Sequence, residues 1–195
     1  MKILIDVTSS CQSARNCGMQ RMTRRICAAL TARVPVTPLC WNRLGNFYQH
    51  LGPREMEYLI TPFRRYKRPM THPHARQDWP HEFQRLLRNR VIDTSTLPRE
   101  GDVIFVPDTL TDHRIQKVPE MARRTRARSV AIFHDAGDLR LSFLSRRRLK
   151  KFWNYIESLA TFDLVICISN QSRDDLLELW NRHEVNTQAE TLVEG

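Results

Sequence analysis

Lys2-Ile3-Leu4-Ile5-Asp6-Val7 is a short apolar run rich in β-branched residues, residues 8–17 after it are small and polar, and residues 19–30 return apolar side chains at Met19, Met22, Ile26 and Leu30. The first run predicts a strand and the second, with its steps of three and four, a helix. Strand, polar loop and a helix opening at Gly18 is the order in which a nucleotide-binding α/β unit begins. The loop lies at the carboxyl end of the strand, and the helix N-terminus offers backbone N–H groups to an anion. The loop carries one glycine, so it is neither G-x-G-x-x-G nor a P-loop with its Gly-Lys-Ser/Thr. A turn that only reverses the chain explains that glycine equally well.

Outward from this stretch, residues 34–42 read as a second strand, with Pro35 and Pro38 favouring an edge or an irregular start. The second half is more regular. Residues 102–106 form a continuous apolar run ended by Pro107, residues 129–133 another closed by His134-Asp135, and residues 164–168 a third. Continuous apolar strands separated by helical segments mark a parallel sheet covered on both faces, so the expected fold is α/β, a Rossmann-like three-layer domain with a mainly parallel sheet. One long helix is expected over residues 142–161, with Phe143, Leu144, Phe152, Trp153, Ile156 and Leu159 as its apolar surface. Its front carries Arg146, Arg147, Arg148, Lys150 and Lys151, a basic face that either stays in water or meets an anionic membrane. Ser169-Asn170 suits a helix N-cap, Asp174 and Asp175 suit a first turn, and Leu176, Leu177 and Trp180 suit a buried stripe.

Between the halves, periodicity fades. Residues 45–100 are read as an irregular basic segment within one domain spanning 1–195, although residues 79–90 could form a helix with Phe83, Leu86, Leu87 and Val91 inward. Phe63-Arg64-Arg65-Tyr66-Lys67-Arg68 interleaves aromatic and basic side chains, as do surfaces that grip phosphates, lipid-linked ligands or single-stranded nucleic acid, and also plain solvated loops.

Composition narrows the class. A chain of 195 residues, 41% hydrophobic and 27% charged, can bury a core as a single domain. No apolar run reaches the roughly 18 residues of a membrane span, and the first strand follows Met1 without the apolar segment of a secretory signal, so export is not expected. The expected location is cytoplasmic, peripheral at the inner membrane face where the basic helix meets lipid. Five cysteines without a C-x-x-C pair fit reduced thiols, and His72, His74 and His81 do not make the two tight ligand pairs of a zinc site, so no metal is expected. The net charge of +10 attracts polyanions: nucleic acid, anionic lipid or phosphorylated small molecules.

Asn16-Cys17-Gly18-Met19-Gln20-Arg21-Met22-Thr23-Arg24 resembles the loop and helix start of bacterial retaining glycosyltransferases of the GT-B fold (glycosyltransferase family 4, group 1 type), where a Thr-Gly-Ile-Gln-Arg-like string follows the first strand. Residues 101–107, 130–135 and 162–172 fit the same pattern in the same order, so the chain resembles the amino-terminal, acceptor-side domain of that family across nearly its whole length. The resemblance implies transfer of a sugar from a nucleotide-sugar donor to a glycan or lipid-linked acceptor in polysaccharide or glycolipid synthesis, with no cofactor. It assigns His134 and Asp135 as catalytic residues, His134 beside the donor sugar. Asn16, Gly18, Arg21 and Ser169 become the donor- or acceptor-binding set. In the family, most groups that hold the donor belong to a second Rossmann-like domain absent from this sequence, which implies a partner domain or subunit and little activity for this polypeptide alone. The rival reading is a non-enzymatic basic Rossmann-like module that binds nucleic acid or anionic membrane. A dinucleotide-dependent dehydrogenase is disfavoured by the missing G-x-G-x-x-G.

Overall fold

The computed structural model describes residues 1–12, 17–61, 97–137 and 145–193. The chain is α/β, with strands that pair mostly in parallel and helices between them. It divides into two compact units, residues 2–97 and residues 98–195 together with Met1.

The first unit holds β1 (Ile3–Asp6), α1 (Thr8–Cys11), α2 (Gly18–Thr31), β2 (Val36–Asn42), β3 (Phe47–His50) and α3 (Pro53–Ile60). β1 and β2 run parallel from Ile3 opposite Val36 to Asp6 opposite Leu39. β3 folds back antiparallel on β2, from Leu39 opposite His50 to Asn42 opposite Phe47. That pairing begins only at Leu39, so Pro38 costs β2 no bond to β3. Asn46 supplies the left-handed residue of the intervening turn, at φ 56°. Trp41 and Tyr48 pack edge to face across the hairpin at 4.8 Å.

Three readings change here. Residues 47–60, where periodicity is weak, form β3 and α3, and α3 starts on Pro53 after Gly52, whose N–H is accepted by Glu55 Oε2 at 2.7 Å. Part of the polar loop after β1 is the single-turn α1, because Asp6 Oδ1 accepts the N–H of Thr8 at 2.8 Å. Finally, the stripe Met19, Met22, Ile26 and Leu30 is not the buried face of α2. Met19 is 39% exposed, while Gln20, Thr23, Arg24 and Cys27 are buried. Gln20 and Arg24 go inward because they meet backbone: Gln20 Nε2 donates to Ser9 O at 2.8 Å, and Arg24 donates to Ser10 O at 2.7 Å and Tyr58 O at 3.1 Å.

The second unit is wholly parallel: β4 (Val103–Val106), β5 (Arg128–Phe133), β6 (Leu164–Cys167) and β7 (Glu190–Val193) pair in that order. α4 (Arg114–Thr125), α5 (Arg146–Leu159) and α6 (Asn170–Arg182) make the crossovers. Fully buried Ile104, Phe133, Tyr155, Ile156, Leu159, Phe162, Val165 and Leu176 form the core, each large apolar side chain contributing roughly 1.5–3 kcal/mol by leaving water. Trp180 Nε1 ties α6 to α5 by donating to Ile156 O at 2.9 Å. Asp163 Oδ2 accepts from both the N–H and the hydroxyl of Ser129 at 2.7 Å, which pins the starts of β5 and β6 together.

α5 is shorter than the span expected for it and begins at Arg146, where Ser145 caps by accepting from the N–H of Arg148. Phe143, Leu144 and the helix expected at 79–90 lie outside the described residues. On α6, Ser169 is the N-cap, but Asp174 and Asp175 fall beyond the first turn, and Leu177 is 40% exposed because the buried side is made by Ser172, Leu176 and Trp180. β7, which strand-spacing did not suggest, pairs with β6 from Leu164 opposite Glu190 to Cys167 opposite Val193.

Candidate functional site

The carboxyl ends of β4, β5 and β6 each deliver polar residues to one end of the second unit's sheet: Pro107-Asp108, His134-Asp135 and Ser169. A parallel sheet places ligands outside these ends, where the chain leaves a buried strand and side chains no longer need to be apolar. Phe133 anchors β5 in the core, and the next residue, His134, is half-buried.

His134 is held from both its ring and its backbone. Its Nε2 lies 3.0 Å from Pro107 O. A carbonyl only accepts, so this nitrogen carries the hydrogen and, in the neutral ring, Nδ1 keeps the lone pair. The neutral imidazole therefore offers a substrate hydroxyl an acceptor at Nδ1. Donation from that atom requires the protonated ring. The His134 carbonyl accepts from Ser172 Oγ at 2.7 Å. Ser172 in turn lies 2.9 Å, hydroxyl to hydroxyl, from Ser169, whose Oγ accepts the Ser172 N–H at 3.1 Å. The cap of α6 and the end of β5 are thus one hydrogen-bonded unit, and His134 and Ser169 are brought together through Ser172.

Asp135 is exposed, and its Oδ1 accepts the N–H of Gly137 at 2.7 Å. A Cβ on Gly137 would sit 2.8 Å from that oxygen, the far end of an exposed side chain that can turn aside. Beneath the site, Tyr155 is buried and donates to Ile132 O at 3.3 Å. Burial first, then the carboxylates of Asp108 and Asp135, hold its phenol well above the usual range, so it stays protonated as a donor. Asp108 Oδ1 accepts the N–H of Thr109 at 2.9 Å. Ser172, Tyr155 and Asp108 were not singled out as site residues from sequence. Asp108 carries the same signal as Asp135, a carboxylate directly after a buried strand, and Ser172 is the third residue past an N-cap serine. Tyr155 gives no such signal, because an aromatic on an amphipathic helix reads as core.

The other candidates belong to the first unit. Gly18 is the first residue of α2 and exposed, with an ordinary φ and open space where a Cβ would go. Arg21 is exposed on the first turn of the same helix, and Asn16 lies outside the described residues. The basic residues Arg146, Arg147, Arg148, Lys150 and Lys151 are all exposed at the start of α5. Phe63, Arg64, Arg65, Tyr66, Lys67 and Arg68, and the histidines His72, His74 and His81, also lie outside the described residues.

The arrangement supplies a hydrogen-bond acceptor, an exposed carboxylate and the N-terminus of a thirteen-residue helix at one place. It can bind hydroxyls and favour negative charge near the helix start. The chain matches no protein-family model, no curated protein and no solved structure. Among the described residues no helix is long and apolar enough to cross a membrane.

Proposed function

We propose that this chain is the amino-terminal, acceptor-side part of a retaining GT-B glycosyltransferase, which uses a nucleotide sugar to extend a glycan or lipid-linked acceptor. The observation that carries the reading is His134, fixed by the Pro107 carbonyl at the carboxyl end of a parallel strand with the exposed carboxylate of Asp135 beside it. A sugar offers hydroxyls, and this pair accepts hydrogen bonds from them. Retention calls for front-face attack by the acceptor hydroxyl while the nucleoside diphosphate leaves. The catalytic demand is then stabilisation of the charge that grows on the diphosphate. Cationic groups for that task belong, in the family, to a second domain that these 195 residues do not contain.

The testing experiment is a nuclear magnetic resonance saturation-transfer screen of nucleotide sugars against the 195-residue chain and against His134→Ala. Sugar-proton saturation that falls in the variant supports the reading; saturation that His134→Ala leaves unchanged overturns it. A second reading, a basic module that binds anionic membrane or nucleic acid, is favoured by the five exposed cations at the start of α5. It is distinguished by polyanion binding that collapses with salt and ignores nucleotide sugars.

A further inference from the structure

The first unit encloses three side chains whose donor atoms suit a soft divalent ion. Cys11 ends α1, Cys40 lies in β2 and Glu55 sits in the first turn of α3; their exposures are 0%, 0% and 5%. One ligand atom from each, two thiol sulfurs and a carboxylate oxygen, lies within 4.8 Å of the other two. We propose that Cys11, Cys40 and Glu55 form a binding site for a thiophilic divalent cation such as zinc, separate from the strand-end site of the second unit.

The spacing fits. A tetrahedral zinc with a sulfur at about 2.3 Å and a carboxylate oxygen at about 2.1 Å sets those two atoms about 3.6 Å apart. Cys40 Sγ and Glu55 Oε1 are 3.6 Å apart. The surroundings are also those of ligands held in place. Gln12 Nε2 donates to Cys40 Sγ at 3.2 Å, and the Gly52 N–H donates to Glu55 Oε2 at 2.7 Å, which fixes the carboxylate with Oε1 toward the sulfur. Such outer partners orient ligands and stabilise the anionic form of a thiol.

Binding would exchange the two thiol protons for two metal–sulfur bonds, releasing about two protons per ion and needing no oxidant. Three protein ligands leave a fourth position for water or another ligand.

The test is a cobalt(II) titration of the metal-free, reduced 195-residue chain, followed by displacement with zinc. The expected result is one ion per chain, a thiolate-to-cobalt charge-transfer absorption, and affinity that rises with pH. Cys40→Ser should weaken binding and diminish the charge-transfer band, Gln12→Ala should weaken binding about tenfold, and Cys17→Ser, at an exposed cysteine, should change neither. A buried serine can unfold the unit, so X-ray absorption at the zinc edge of the unaltered chain supplies the second measurement. Two sulfurs in the first shell support the site. Nitrogen and oxygen only, or no stoichiometric binding, overturn it.

Discussion

At the scale of single residues, the thiols divide by environment. Cys17 is exposed, whereas Cys167 is buried and its thiol is pushed by that burial up to about 11. Alkylation of the native, metal-free chain at neutral pH should therefore label Cys17 first and leave Cys167 unmodified until the chain unfolds. Peptide mass spectrometry reads this directly, and equal labelling would contradict the packing around β6. Gly18 makes a second case. Its backbone is ordinary and a Cβ meets nothing within 4 Å, so Gly18→Ala should keep or slightly raise thermal stability. If the proposed donor loop needs close backbone approach, the same variant should lose nucleotide-sugar affinity while its melting temperature holds. His134→Ala removes one acceptor from the proposed site and should weaken nucleotide-sugar binding about tenfold, the equivalent of roughly 1.4 kcal/mol. An unchanged affinity would remove this histidine from the site. Strand-end position together with the family resemblance marked His134, Asp135 and Ser169 in the sequence. Ser172 and Tyr155 were not visible, because their importance comes from partners far along the chain, the carbonyls of His134 and Ile132.

At the scale of elements, legibility follows how the buried face is built. β1, β4, β5 and β6 could be read because strands buried on both faces are continuous apolar runs. α2 misleads for the opposite reason: its buried face is Gln20, Thr23, Arg24 and Cys27, and hydrophobic periodicity cannot register polar side chains that go inward to meet backbone carbonyls. β3 and α3 were hidden by their length, too short for a period to repeat. The Cys11, Cys40 and Glu55 cluster was hidden in another way, since its members come from three elements and share no local spacing. α5 was legible on both faces, and its exposed basic start makes a prediction. Reversing Arg146, Arg147 and Arg148 to glutamate alters no buried contact, so the melting temperature should stay close to that of the unaltered chain. Sedimentation with anionic vesicles should fall, and the remaining binding should depend less steeply on salt. Vesicle binding that does not respond to these three changes would assign the polyanion surface elsewhere.

At the scale of the whole molecule, burial of ionisable groups couples folding to pH. The thiols of Cys11, Cys27 and Cys167 and the phenol of Tyr155 are all raised, with burial the first cause for the last three and the hydrogen bond with Cys40 for Cys11. Each raised value means that the folded chain holds its proton more tightly than the unfolded chain. The unfolded chain, whose thiols ionise near 9.0, gives up protons first as the solution becomes alkaline. The stability linked to these groups is therefore fully present below pH 9.0 and falls as pH rises toward about 11, the value reached by Cys167. Urea midpoints should drop steadily across that window in the metal-free protein, with no matching change between about pH 7 and about pH 8.5 attributable to the thiols. Zinc should alter the profile in one specific way. An ion held by Cys11 and Cys40 already replaces their protons, so the folded state no longer depends on keeping Cys11 protonated, and the alkaline fall should become shallower in the loaded protein. Parallel profiles with and without zinc would mean that the ion does not engage those thiols. A flat metal-free profile would mean that the thiols and the Tyr155 phenol are no harder to ionise in the folded chain than in the unfolded one.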